Sequence, residues 1–420
     1  MSPSHAGASA KHGSGFWRHL GLGLLVTFLL VGAKVCFEHT TRGHHLEQWT
    51  YNLLHSHLPY FDRAEELPVV IVDISKIQGG RGDAPTPRGD LKRLLTAIAA
   101  EKPSAIAIDV DFSPDGKGWI TDDDPEFFDY CLELADETGV PVLLGIFRTK
   151  ASPPDTWLGL PKFSRLAVAL MAREGDVSRA PRWVQLEGGD RLRALSWAIA
   201  SAHEPALPPT NQCNSLVFEC SEDRLPGTDS RPNEHLTVSD FLVNYSKLEE
   251  LKRETLLTGS EQSVREFGER FRHRMVILGD ALEFTDPFVV PGHEQPVAGV
   301  YVHASAAYTL VQGALREFNH GFRIFLDVAI SIFISASLFF ARGGQKGSRR
   351  WRARSWILVS AVAVVLAAGV LLVRWYNVMW LDFLLVGFAL LLHPKVEGWF
   401  ETFMHGRKGD KLKPDPGRGS

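Results

Sequence analysis

Val69-Val-Ile-Val-Asp-Ile74 and Ala105-Ile-Ala-Ile-Asp-Val-Asp-Phe112 decide the fold. Each is a compact β-branched run with carboxylates toward its carboxyl end, the pattern of a strand buried on both faces. Between them, Gly79, Gly80, Gly82, Pro85 and Pro87 keep the chain out of a helix until Leu91, Leu94, Leu95 and Ile98 recur at helical spacing. Pro87 suits a first-turn position and Pro103 stops the helix. Asp124 and Pro125 open a second helix with Phe128, Cys131, Leu132 and Ala135 inward, closed by Gly139 before a strand at 141–147. This βαβαβ order predicts an α/β domain with a mostly parallel sheet and helices on both faces.

Farther along, 151–233 is less regular and yields one helix, at 191–202. A strand at 241–245, a charged helix at 260–271, a short buried strand at 275–278 and an Ala-rich helix at 299–313 complete the soluble region. Internal repeats are absent, and the polar first residues and the Gly/Lys/Pro tail are expected to be disordered.

The apolar residues gather in four blocks, at 20–37, 322–340, 356–373 and 378–393. The second and third are long enough to cross a bilayer, and the first is near the minimum length. The first lacks a clean A-x-A site, and Cys36 follows Lys34 and Val35, so it reads as an uncleaved anchor, a cleaved signal peptide being the alternative. The fourth is short and broken by Asp382; it spans with Tyr376 and Trp380 at the interface, or else lies re-entrant or interfacial. Arg342, Lys346, Arg349, Arg350, Arg352 and Arg354 put the short loop 341–355 in the cytoplasm by the positive-inside rule. The expected layout is a cytoplasmic N-terminus at 1–19, an extracytoplasmic domain at 38–321 and a cytoplasmic tail at 394–420. That makes the chain a multi-pass protein of the cell (inner or plasma) membrane, with an all-α transmembrane region of four helices. Asp327, Arg374 and Asp382 then fall near the outer boundary, where they either pair or reach into the headgroup layer.

Lys and Arg total 45 against 49 Asp and Glu, a net charge of −4, so no basic excess points to a nucleic-acid partner. Four cysteines lack metal-site or redox spacing; Cys213 and Cys220, in an extracytoplasmic loop, are placed where a disulfide is permitted.

Three stretches together resemble the CHASE type-two domain. The first is Val69 to Ile74 with Pro87-Arg88 and then 105–112; the second is Leu242-Val-Asn-Tyr245. The third, the most specific, runs from Met275-Val-Ile-Leu-Gly-Asp280 through Thr285-Asp-Pro-Phe288 and Pro291 to Gly299-Val-Tyr-Val-His-Ala304. The resemblance implies an extracytoplasmic sensory module of the kind that precedes cyclases and histidine kinases in bacterial receptors, followed by three spans. Family members carry a tryptophan–proline loop where this chain has Gly79-Gly-Arg-Gly-Asp83-Ala-Pro-Thr, so ligand specificity need not carry over. About twenty-seven residues follow His393, too few for a catalytic domain, so the output is expected on a separate cytoplasmic effector protein. The ligand is unidentified and a homo-oligomer is left open.

Asp73, Asp109 and Asp111 lie at or near the carboxyl ends of strands, where α/β folds bind ligands. Such carboxylates suit a divalent cation; the rival reading is that they cap loops or pair with Arg88. Asp280, Asp286 and His303 return to the same sheet edge, His303 reading as a buried hydrogen-bonding residue rather than a metal ligand. His44, His45, His55 and His57 read as interfacial histidines rather than a metal group, and Asp122, Asp123 and Asp124 as charges at a helix N-terminus. No catalytic signature is present, and Gly79-Gly-Arg-Gly lacks the ending of a phosphate loop. No enzymatic activity and no cofactor are therefore expected. A metal-dependent extracytoplasmic enzyme and a ligand-free assembly scaffold are the alternatives to a sensor.

Overall fold

A strand whose five side chains are all buried needs cover on both faces, and three segments of this chain meet that description: 69–73, 142–146 and 275–279. The structure, a computed structural model, describes residues 21, 24–37, 40–57, 66–77, 85–113, 120–146, 162–170, 177–185, 191–205, 237–256, 260–282, 287–312, 315–340, 349–376 and 378–380. It also describes 385–386, 392, 395–396, 399 and 402. Cys213, Cys220, Asp286, Asp382, the loop at 79–83 and the segments 1–19 and 403–420 lie outside the described residues.

In chain order the helices and strands begin with α1 (Leu24–Phe37), α2 (Thr41–His57), β1 (Val69–Asp73), α3 (Arg88–Ala100), β2 (Ala105–Asp109), α4 (Asp124–Thr138) and β3 (Val142–Ile146). Next come β4 (Ala167–Ala169), β5 (Arg179–Gln185), β6 (Arg191–Arg193), α5 (Leu195–His203), β7 (Thr237–Leu242), α6 (Leu248–Glu254) and α7 (Glu261–Glu266). Then follow β8 (Met275–Gly279), β9 (Pro287–Phe288), β10 (Val297–Ala298), α8 (Gly299–Gln312), α9 (His320–Phe340) and α10 (Arg349–Tyr376). Two compact units result: 51–316 with 374–378, and 1–50 with 317–373 and 379–420.

The first unit is built on a parallel sheet of order β1-β8-β2-β3-β4. Alternation along the strands divides its side chains between two cores. Val70, Val72, Ile106, Ile108, Val276 and Leu278 pack with Leu91, Leu94, Leu95 and Ile98 of α3 and with Phe127, Phe128, Cys131 and Leu134 of α4. Val69, Ile71, Ala105, Ala107, Met275 and Ile277 pack instead with α5, α6 and α8. The expected parallel sheet with helices on both faces is present. On α4, Leu134 rather than Leu132 or Ala135 completes the fully buried face; the latter two are partly buried against it. Gly139 ends α4 at φ 72°, in the left-handed region glycine tolerates, and its N–H bonds the Ala135 carbonyl.

Other boundaries move for tertiary reasons. The helix expected at 191–202 starts only at Leu195, because Arg191–Arg193 pairs antiparallel with β5. β6, β5 and β7 form a second, antiparallel sheet that the sequence reading did not anticipate. The helix expected at 260–271 is cut at Glu266 and resumes as a 3-10 turn at Gly268–Arg270.

α10, most of which belongs to the second unit, contains the window Val359–Tyr376, long and apolar enough to cross a membrane, with only 17 % of it buried within the chain. Among the described residues it alone meets that length and composition, and α1 is a shorter apolar helix. The arrangement of four spans is therefore narrower in what is seen here than in the expectation.

Glycine at 279 is demanded by close approach: a Cβ there would lie 2.7 Å from Val300 Cγ2 and 2.9 Å from Val300 Cβ on α8. Val300 is β-branched and stiff, so it cannot swing away. Gly279→Ala is expected to destabilise the chain by about 1–3 kcal/mol in thermal or denaturant unfolding. Gly145→Ala, whose new methyl meets only the flexible end of Leu170, should cost less.

Candidate functional site

β8 is flanked by β1 and β2, yet the chain leaves it on the other side of the sheet. After β1 and β2 it runs to α3 and α4 on one face; after β8 it runs to α8 on the opposite face. In open α/β sheets such a reversal, at the carboxyl ends of the strands, is the general ligand position. Across this edge the register aligns Asp73 with Gly279 and Gly279 with Asp109, and the alternation points all three positions toward the α8 layer.

Asp73 is consumed by the fold. Its Oδ1 accepts the Ser75 N–H at 2.9 Å and the Ala281 N–H at 3.2 Å, while Oδ2 accepts the Ser75 hydroxyl at 2.9 Å. It thus ties the end of β1 to the segment after β8. Asp111 Oδ1 accepts the Ser113 N–H at 2.8 Å, and Asp280 Oδ1 the Leu282 N–H at 2.8 Å, both closing local turns.

Asp109 is different. Its Oδ1 lies 3.7 Å from Nε2 of His303, a buried residue of α8. Burial, and then the neighbouring Asp280 charge, push the Asp109 carboxyl up to about 7. Beside His303, which lies one turn of α8 beyond Val300, this sheet edge therefore carries a carboxyl group that burial biases toward its protonated form.

Arg88 does not join Asp73. Its Nε donates to Asp124 Oδ1 at 2.6 Å and its Nη1 to the Thr86 carbonyl at 3.0 Å, with the guanidinium carbon 4.5 Å from the Phe112 ring centroid. Asp124 also accepts the Thr121 N–H and hydroxyl at 3.0 and 2.8 Å. The pair clamps the starts of α3 and α4 together beside the end of β2. Its signal was present in sequence: Arg88 and Asp124 open successive helices that leave the same sheet edge.

Of the histidines, His45 is exposed and the side chains of His44 and His57 lie outside the described residues. His55 is buried, and its Nε2 accepts the Tyr245 N–H at 2.8 Å. Burial, and then His293, depress the His55 ring to about 3, so it is a neutral acceptor. Trp49, on the same helix, is 54 % exposed. Among the described residues no three His, Cys, Asp or Glu side chains converge as a set able to hold a metal ion.

In the second unit Asp327 of α9 has a partner that the sequence reading did not name. It pairs with Lys34 of α1, the two side chains being 6 % and 8 % exposed. Arg374 stands in the last turn of α10.

A family model described as the CHASE2 domain matches residues 23–341. The match opens at the start of α1 and closes just past α9. No curated protein and no solved structure matches the chain.

The raised Asp109 carboxyl has a stability consequence. Between its ordinary 3.8 and about 7, the folded chain holds a proton that the unfolded chain has released, so this group's contribution falls as pH rises through that window. Asp109→Asn removes the term. Relative to the parent, the variant should gain up to about 1.4 kcal/mol of stability per pH unit between pH 4 and 7, reaching no more than about 4 kcal/mol above it. Parallel unfolding-midpoint profiles for parent and variant across that range would refute the assignment.

Proposed function

The chain belongs to the CHASE2 domain family, whose members are sensory domains of extracellular type, and from that premise we propose that it is a membrane-anchored extracytoplasmic sensor subunit of a bacterial signalling system. The observation that carries this reading is the extent of the family match. It takes in both α1 and α9, so the unit that recurs is a body bracketed by two apolar helices. A body so bracketed can receive a stimulus on one side of a membrane and pass it along two helices to the other.

Anchoring is supported by what the apolar helices present outward. Phe28, Phe325, Phe333, Trp356, Val359 and Val364 are all more than half exposed, which water disfavours and lipid does not. In this reading the chain spans the membrane four times, at 20–37, 322–340, 356–373 and 378–393, with the soluble body outside and both termini inside. Arg342, Lys346, Arg349, Arg350, Arg352 and Arg354 then form a cytoplasmic surface to which a separate effector protein docks. Asp109, Asp280 and His303 line the ligand crevice, while Asp73, Asp111 and the Arg88–Asp124 clamp hold its rim in shape. Asp286 and Asp382 belong to this reading only as neighbours in sequence of the crevice and of the last span. The chain acts as a receptor and not as an enzyme, in keeping with a family that is sensory rather than catalytic.

Reporter fusions at Arg18, Gly227 and Gly409 test the anchoring. The expected outcome is inside, outside, inside; an outside signal at Arg18 or an inside signal at Gly227 overturns it. Co-purification from detergent tests the output: a cytoplasmic partner should accompany the parent chain and be lost when Arg349, Arg350 and Arg352 are changed to Gln, at unchanged expression. Retention of the same partner by that variant would remove the basic loop from the proposal.

A further inference from the structure

Two residues on successive turns of α2 grip one short segment of the soluble body. The Tyr51 hydroxyl donates to the Val243 carbonyl, and His55 Nε2 accepts the Tyr245 N–H at 2.8 Å. The gripped segment, just after β7, is itself anchored: the Asn244 N–H donates to Thr309 Oγ1 of α8 at 2.8 Å, and the Tyr245 hydroxyl to the Val177 carbonyl at 2.6 Å. The His55 ring stands 5.5 Å from that of Tyr51 and 5.9 Å from that of Tyr245. Tyr51, Leu54 and His55 are all buried, so the last turns of α2 are part of the body's interior.

This grip depends on the protonation state of one ring. Neutral imidazole offers a lone pair at Nε2; imidazolium offers an N–H at both nitrogens. Once protonated, His55 would face the Tyr245 N–H donor to donor, leaving a buried amide unsatisfied and a charge in an apolar setting. Burial, and then His293, act against that charge, and a backbone hydrogen bond of the ring acts more weakly in the other direction. His293, on the segment between β9 and β10, acts on His55 as a further positive centre when protonated, and its Nδ1 is 3.6 Å from Glu249 Oε1 of α6. Glu249 is 66 % exposed and works chiefly on His293, as does Lys252 in the opposite sense. Tyr51 of α2 and Tyr245 of the gripped segment are uncharged at these pH values.

We propose that the His55–Tyr245 contact is a proton-operated latch, which holds the end of α2 on the soluble body while His55 is neutral and frees it when His55 is protonated. This deepens the sensor reading by making proton activity an input, and its biological meaning rests on that reading; the docking itself does not. The undocked ring titrates at its ordinary 6.5 and the docked ring at about 3, so the contact is at full strength above 6.5 and weakens as pH falls from 6.5 toward 3. The ratio of docked to released α2 should drop about tenfold between pH 7.5 and pH 5.5.

Hydrogen exchange on the full chain in detergent, at pH 7.5 and 5.5 and corrected for intrinsic rates, reads the latch directly. Protection in peptides covering 51–57 and 243–247 should fall about tenfold at the lower pH, while a peptide covering 105–109 stays protected. In His55→Gln, whose amide oxygen can still accept from Tyr245 but does not titrate, protection of the same peptides should be equal at both values. His293→Gln should keep most of the parent's response. Unchanged parental protection, an equal loss across the whole body, or a response that survives in His55→Gln and disappears in His293→Gln would each overturn the proposal. Should His55→Gln not fold, the parent and His293→Gln decide it between them. None of these readouts involves a signalling output, so failure here leaves the sensor reading standing.

Discussion

Everything in the first unit depends on β8 entering between β1 and β2. Its five residues are wholly buried and pair in parallel on both sides, from Val69 through Asp73 and from Ala105 through Asp109. Until 275–279 arrive, β1 and β2 have no common neighbour, and the two helical layers have no continuous sheet to cover. Because β8 comes from far along the chain, this sheet is non-local, and its completion carries a loop-closure cost that only the finished pair of cores repays. The same insertion places a topological reversal at this edge, because the central strand's chain leaves on the opposite face from both neighbours, the position at which open α/β sheets generally bind ligands.

The polar groups at that edge sort by whether the insertion has already used them. Asp73 accepts the N–H and hydroxyl of Ser75 from its own loop, and the segment after β8 adds the Ala281 N–H, so this carboxylate ties the inserted strand to the end of β1. Asp109 occupies the matching position on the other flank of Gly279, where α8 presses Val300 and His303 close, and it carries the strain of burial instead. Its titration and that of His55 act in opposite senses on the fold. Acidification from neutral relieves the first and penalises the second, so an overall stability that changes little with pH can conceal a redistribution of strain within one body.

Four of the five parallel strands and the helices α3, α4 and α8 were legible because local period and flanking proline and glycine agreed, as at 69–73, 105–109 and 275–279, whereas the short β4 and α6 were not. The antiparallel sheet was not. β5 contains Pro181, which counts locally against a strand, yet it is the central strand of that sheet and Pro181 sits opposite Asp240. Arg191–Arg193 read as helix and became strand because pairing with β5 outweighed propensity. In the site, the positions of Asp73, Asp109 and Asp280 followed from strand ends, but their roles did not. Whether a carboxylate is spent or poised turned on a backbone N–H supplied by residue 281 and on the proximity of α8. Arg88 pairs with Asp124 rather than with a carboxylate at a strand end, since the distance between two helix starts is a tertiary quantity.

The pair Lys34–Asp327 and the grip of α2 on the segment after β7 are two holds on the chain, each within its own unit. Charged side chains this deeply covered are tolerated when they meet each other, and removing either partner costs more than the pair itself contributes. The contact therefore fixes α1 to α9 at one level rather than strengthening either helix. Immediately after α1, the Thr40 hydroxyl donates to the Phe37 carbonyl at 2.6 Å and accepts the Gly43 N–H at 3.1 Å, so α2 begins with a new cap instead of continuing α1. Lys34 is thus held to α9 within its unit, and past the cap at Thr40 the residues Tyr51 and His55 are held to the segment after β7 within theirs.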